Sequence, residues 1–261
     1  MPSLRDIKLF MLDMDGTIYL GDKLFPCTKP FLEKLKEKGI EYLYLTNNSS
    51  KDKKEYLRKL ERLGLEADEK HLLTSGEATI EFLKKEYPNE KVFLVGTKAL
   101  ERSFIESGIE LYNYNEADIV VVGFDLELTY DKLNGIYQMV KKGKTYICTH
   151  PDLVCPTEDG FIPDIGATIA YIETLTGRKP NYIIGKPYSN MIDIAAKRFG
   201  IEKENIAMVG DRLYTDIEMA IRAEITSILV FSGETTKEDL EKSSTEPTFT
   251  FLDLSGITEL L

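Results

Sequence analysis

Asp13-Met14-Asp15-Gly16-Thr17 sets two carboxylates two residues apart at the end of an apolar run, just ahead of a glycine that lets the chain turn. Side chains at that spacing leave an extended chain on one side, so the two like charges repel unless a cation or a proton lies between them. Magnesium suits such a place, because it takes one or two carboxylates and fills its remaining positions with water and phosphate oxygens. A carboxylate screened in this way can attack phosphorus and split one hard displacement into two easier ones. Three more polar groups bear on the same chemistry: Thr46-Asn47-Asn48, Lys186, and Asp211 with Asp216. Each also has an ordinary structural use. Thr46-Asn47-Asn48 reads as a helix N-cap, Lys186 before Pro187 as an exposed turn lysine, and Asp211 with Asp216 as complements to a helix dipole. An N-cap and a phosphate site are compatible, since helix N-termini bind phosphate.

The elements around these groups decide between the readings. Short apolar runs at residues 7–12, 40–45, 92–95, 119–122, 144–148, 182–184, 206–209 and 225–231 predict strands. Between them, amphipathic stretches predict helices, among them 53–63 closed by Gly64, 98–107, 130–142, 190–199 and 216–221. Strand and helix alternate throughout, which predicts parallel sheets with right-handed crossovers. Asp13, Thr46 and Asp211 each fall just past the carboxyl end of a strand, the edge where ligands bind in an open α/β sheet. The stretch from about residue 80 to 180 has its own strands and helices but no comparable cluster before residues 150–166. It reads as an inserted second domain.

In order along the chain, Asp13-Met14-Asp15-Gly16-Thr17, Leu45-Thr46-Asn47-Asn48, Gly185-Lys186-Pro187 and Gly210-Asp211-Arg212-Leu213-Tyr214-Thr215-Asp216 resemble the four motifs of the haloacid dehalogenase-like hydrolase superfamily. The resemblance covers essentially the whole chain. Its wording, and the large insert between the second and third motifs, are similar to the α/β-cap branch that contains 4-nitrophenyl phosphatase, phosphoglycolate phosphatase and pyridoxal phosphatase. Tyr214 departs from the small or polar residue common at its position. The resemblance implies Asp13 as nucleophile, Asp15 as general acid and then base, and Thr46 and Lys186, with backbone N–H groups near Asn47 and Asn48, as partners of the phosphoryl oxygens. It implies magnesium held by the Asp13 carboxylate, the Asp15 carbonyl and Asp211, with Asp216 one contact behind. It also implies that His150, where relatives commonly have Asn, opens a substrate-facing loop, residues 150–166, offering His150, Asp152, Glu158 and Asp164 beside Phe161 and Ile162.

The expectation is therefore a doubly wound, Rossmann-like α/β core of residues 1–79 and 180–261 with an α/β cap domain at 80–179. Its function is magnesium-dependent hydrolysis of small phosphate monoesters through an aspartyl phosphate. A cap on two linkers can exclude water and then release product. A phosphoacceptor signalling domain uses similar residues but is about half this length and needs no cap. A non-catalytic phosphoester-binding protein would not need Asp13, Asp15, Lys186 and Asp211 intact. With 44 acidic against 33 basic residues the formal net charge is −11, which disfavours a nucleic-acid polymer as partner and leaves a small phosphorylated metabolite. No apolar run approaches the roughly 20 residues of a membrane span, so a cytoplasmic protein without membrane contact is expected, and a homodimer through the cap is one assembly it allows. Cys27, Cys148 and Cys155 lack metal-site spacing and suggest neither zinc nor a disulfide framework.

Overall fold

The computed structural model of the protein describes residues 3–157 and 160–261; Glu158 lies outside them. The chain forms two compact units, one of Met1–Thr46, Leu57–Leu73 and Lys186–Leu261, the other of Asn47–Tyr56 and Thr74–Gly185.

The first unit is built on a six-stranded sheet with the spatial order Phe249–Phe251, Thr226–Val230, Ile206–Gly210, Leu9–Asp13, Glu41–Thr46 and Leu72–Thr74. The register places Leu12 beside Val209 on one side and Tyr44 on the other, both in parallel pairs. Every residue of Leu9–Asp13 and of Ile206–Gly210 is buried. A continuous apolar run of that kind is what a parallel strand needs when both of its faces are covered. Helix Thr28–Lys38 supplies part of the cover through Phe31 and Leu35 and stops at Gly39, whose φ of 66° lets its N–H return to the Leu35 and Lys36 carbonyls. Phe31 meets Phe10 edge-on, with ring centroids 5.6 Å apart. Chain order runs outward in opposite directions from Leu9–Asp13 and Ile206–Gly210, so the sheet's topological switch point lies between these two strands. Asp13 ends the first and Asp211 follows the second.

The second unit has a four-stranded parallel sheet ordered Tyr182–Ile183, Thr145–Cys148, Ile119–Val122 and Val92–Val95. Helices Tyr130–Lys141 and Ile165–Thr176 share its core, where Ile136, Met139, Val140 and Ile172 pack with Val120, Val122 and Tyr146. An antiparallel pair, Val154–Thr157 with Gly160–Pro163, precedes the second helix.

Asp216 lies inside a five-residue π-turn, Leu213–Ile217, from which the α-helix Glu218–Arg222 continues. The sequence predicts a helix starting at Asp216. The wider turn arises because the Asp216 and Ile217 N–H groups both donate to the Arg212 carbonyl, at 3.1 and 3.2 Å. Such turns recur at functional sites because they re-aim a side chain without ending the helix. Among the described residues no helix is long and apolar enough to cross a membrane.

Phe31 is fully buried, so Phe31→Ala should lower unfolding free energy by about 3–5 kcal/mol. Denaturant unfolding measures this; a loss under about 1 kcal/mol would show that the helix is not part of the load on this sheet.

Candidate active site

The end of strand Leu9–Asp13 delivers the Asp13 carboxylate to the sheet edge, and the chain then folds into a tight loop. The Gly16 N–H donates to the Tyr19 carbonyl at 2.7 Å and the Ile18 N–H to the Met14 carbonyl at 3.0 Å. Gly16 takes a φ of 93°, and a Cβ there would run into the Asp211 carboxylate. Glycine is needed on both counts. Asp15 lies in this loop, partly exposed and bridged to Tyr19. Thr46 closes its own strand, also partly exposed.

Asp13, Asp211, Asp216 and Lys186 are all buried, the last two aspartates at 2% and 0% exposure. Carboxylate oxygens of Asp13, Asp211 and Asp216 lie within 4.8 Å of one another. The Lys186 ammonium donates to Asp216 Oδ1 at 2.7 Å and also to Asp13 Oδ1. Burial works against the lysine's charge, but Asp13 and Asp216 outweigh it and hold the ammonium well above its ordinary pKa. One cation does not balance three anions. Burial, with repulsion from Asp216 and Asp211, pushes the Asp13 carboxyl up to about 8 despite Lys186. Burial and then Asp216 push Asp211 up to about 6.

Asp211 is held from the far side by residues 232–235, which carry no motif in the sequence. The Glu234 N–H donates to Asp211 Oδ2 at 2.6 Å, the Thr235 N–H to the Asp211 carbonyl at 3.2 Å, and the Ser232 hydroxyl to the Gly16 carbonyl at 2.7 Å. A Cβ on Gly233 would occupy the place of the Asp211 carboxylate. The other oxygen, Asp211 Oδ1, is buried without a hydrogen-bond partner among the described residues. A buried carboxylate oxygen left unpaired is costly. Set within a cluster of three carboxylates, it has the donor chemistry of a hard divalent cation site. The residues present fit a metal.

Asn47, Asn48 and His150 belong to the second unit. The Asn47 side-chain amide donates to both Asp152 oxygens, at 3.0 and 3.2 Å, and the Asn47 backbone carbonyl accepts from the Ser75 hydroxyl. Asn48 Oδ1 accepts from the Ser50 N–H at 2.9 Å and hydroxyl at 2.7 Å, closing a local turn. His150 is fully buried, with Nε2 3.1 Å from Asp164 Oδ1 and Nδ1 3.0 Å from Thr149 Oγ1. Asp164 in turn caps helix Ile165–Thr176 through the Ile165 N–H. His150, Asp152 and Asp164 also approach within 4.8 Å of one another, yet each is engaged by a protein partner. Among the polar residues of this loop, Asp152 is half-buried, and Phe161 beside them is 68% exposed.

A doubly wound sheet with a buried acidic cluster and a lysine at its switch point has the groups that phosphoryl transfer needs. A haloacid dehalogenase-like hydrolase model matches residues 10–110, and a HAD-hydrolase-like model matches residues 183–257. The chain is 36% identical over 258 residues to an acid sugar phosphatase of Staphylococcus saprophyticus subsp. saprophyticus, covering 99% of both chains. Its fold matches the solved structure of a 4-nitrophenylphosphatase from Thermotoga maritima with a TM-score of 0.95 at 46% identity, covering 98% of each. A p-nitrophenyl phosphatase from Archaeoglobus fulgidus matches with a TM-score of 0.93 at 32% identity, over 98% of this chain and 100% of the other. The chain belongs to the haloacid dehalogenase-like hydrolase family.

The raised carboxyls carry a pH signature. Asp13 and Asp211 hold a proton more tightly folded than unfolded, so the folded state is favoured while they are protonated. That contribution is lost as pH rises from the ordinary value of 3.8 through about 6 for Asp211 and about 8 for Asp13. A divalent cation binds the ionised forms and opposes the loss. The rise in melting temperature given by a fixed excess of divalent cation should therefore grow between about pH 5 and pH 8. Thermal-shift titrations test it, and a pH-independent increment would remove the acidic cluster as the binding site.

Proposed function

We propose that this protein hydrolyses small phosphate monoesters, phosphorylated sugars among them, through an aspartyl phosphate on Asp13 with magnesium as the resident cation. The observation that carries the reading is Asp13 paired to a buried lysine beside an unsatisfied Asp211 oxygen. That combination gives a nucleophile, a fixed positive charge and an open cation position within one cluster. The full-length likeness to an acid sugar phosphatase and to 4-nitrophenyl phosphatases supports the substrate class.

In this reading Asp13 attacks phosphorus through one carboxylate oxygen. The new P–O bond forms as the bond to the leaving alcohol breaks, and Asp15 gives its proton to the departing oxygen. Water then attacks phosphorus, Asp15 takes its proton, and the bond to Asp13 breaks to release inorganic phosphate and the original carboxylate. Lys186, the Thr46 hydroxyl and backbone N–H groups near Asn47 hold the peripheral oxygens, where charge gathers in a loose transition state. Asp216 keeps Lys186 aimed at Asp13. The Asp13 carboxylate, the Asp15 carbonyl and Asp211 would hold magnesium, which when bound screens the nucleophile from the anionic ester.

The second unit acts as the cap and selects the leaving group. Asn47 and Asn48 contribute backbone N–H groups, since their side chains are engaged, and His150 serves the ester through the loop it anchors, which presents Phe161. The proposal includes action in the cytoplasm, in keeping with three cysteines free of disulfides. It also includes a homodimer through the cap, where Leu126, Tyr130 and Leu153 are each more than half exposed.

Asp13→Asn should abolish turnover of 4-nitrophenyl phosphate with the fold retained by circular dichroism, and full activity would sink the mechanism. Asp15→Asn should slow hydrolysis by about 10²–10⁴-fold, with the smaller loss on esters of acidic leaving alcohols. Equal losses across leaving groups of very different basicity would exclude Asp15 as the acid. Chelation should stop turnover and added magnesium restore it; undiminished rates in excess chelator would refute the cation.

A further inference from the structure

Arg212 follows Asp211 directly and places a second cation beside the acidic cluster. Its side chain is only 19% exposed. Burial works against the guanidinium's charge, but attraction to Asp13 and then Glu234 holds it protonated. A guanidinium in this position is a natural competitor for the carboxylates, because its planar fork of five donors matches a carboxylate well. Asp211 Oδ1 nevertheless remains without a partner, and among the described residues the only ion pair of Arg212 is to Glu234, a charge contact with Nε 2.9 Å from Oε2 in which Nε makes no hydrogen bond. The second Glu234 oxygen is fixed as well: Oε1 accepts from the Tyr214 hydroxyl at 2.7 Å. The Glu234 N–H is the group that holds Asp211 Oδ2 at 2.6 Å. The base of Arg212 is anchored separately, its N–H donating to Asp216 Oδ2 at 3.2 Å. One glutamate thus touches the candidate metal ligand with its backbone and the competing cation with its side chain.

We propose that Glu234 is a positioning residue that restrains the Arg212 guanidinium, with Tyr214 steadying the carboxylate, and so keeps Arg212 from folding onto Asp13 and Asp211 in place of the metal. The inference rests on the metal site of the proposed function. It makes Glu234 a determinant of cation affinity although its side chain is 41% exposed and ligates nothing in the cluster. It also gives Tyr214 a use.

The test is calorimetric titration of magnesium chloride, without substrate, into the full-length protein and the variants E234Q, R212Q and E234Q/R212Q. E234Q is nearly isosteric, and R212M replaces R212Q if the latter does not fold. With Arg212 present, E234Q should weaken magnesium binding by about tenfold or more; with Arg212 removed, the same change should cost under about twofold. A carboxylate acting only through its field would lose the same factor in both backgrounds, and that result overturns the proposal. So does wild-type affinity in E234Q. Absence of magnesium binding by the wild-type protein would remove the metal site itself and the proposal with it, whereas wild-type binding with no coupling between the two positions overturns the restraint alone.

Discussion

Like charges forced together at one sheet edge are the constraint on which the rest of this structure turns. Two strands buried on both faces, Leu9–Asp13 and Ile206–Gly210, run side by side and stop at the same edge. Their ends and the segments that follow bring carboxylates together in a buried space. Repulsion there cannot be relieved by moving apart, because Asp13 ends one packed strand, Asp211 directly follows the other, and Asp216 is held in the buried π-turn Leu213–Ile217. It can be relieved only by protons or by cations. Lys186 supplies one positive charge, which it shares between Asp13 and Asp216. Burial, and then the remaining imbalance, push Asp13 and Asp211 toward their protonated forms, and the imbalance is what a divalent cation would remove.

The surroundings are shaped to hold that imbalance open. Gly16 and Gly233 clear the volume in which the Asp211 carboxylate sits, and the Ser232–Thr235 loop grips Asp211 through backbone N–H groups. Backbone donors fix an anion without adding a mobile charge that could replace the metal. Arg212 is a second cation beside the cluster after Lys186, and it pairs with Glu234. The same π-turn that sends Asp216 to Lys186 sends Tyr214 outward to Glu234. A single local backbone irregularity therefore serves both sides of the cluster.

Much of this was legible because chemistry and burial coincide in the sequence. Asp13 and Asp211 follow apolar runs long enough to be strands, and the edge on which they fall follows from α/β alternation alone. Strand Leu72–Thr74 was not legible: three residues are too few for periodicity, although Thr74 and Glu77 carry the spacing of the capping box that opens helix Ser75–Glu86. Asp164 has a readable use as the N-cap of Ile165–Thr176, which its place among the loop's polar contacts hides. Ser232, Glu234 and Thr235 gave no signal, because two of the three act on Asp211 through backbone N–H groups that any residue carries. Arg212 lay inside a recognised motif, but its partner is twenty-two residues on, and pairings of that kind depend on tertiary placement.

The two acidic groupings of this protein show why proximity alone does not identify a site. His150, Asp152 and Asp164 are as compact as Asp13, Asp211 and Asp216, both sets falling within 4.8 Å. In the first set the protein satisfies what it buries: Asp152 takes two bonds from Asn47, Asp164 takes the Ile165 N–H, and His150 lies between Asp164 and Thr149. Nothing is left for a ligand to complete, so the set is a lock that fixes one loop to the segment carrying Asn47. In the second set the lysine is shared, two carboxyls are pushed up, and one oxygen stays unpaired at 2% residue exposure. The fold pairs the neighbouring Arg212 with Glu234 and leaves the oxygen open. A buried deficit retained beside an available remedy is the physical mark of a place reserved for a ligand.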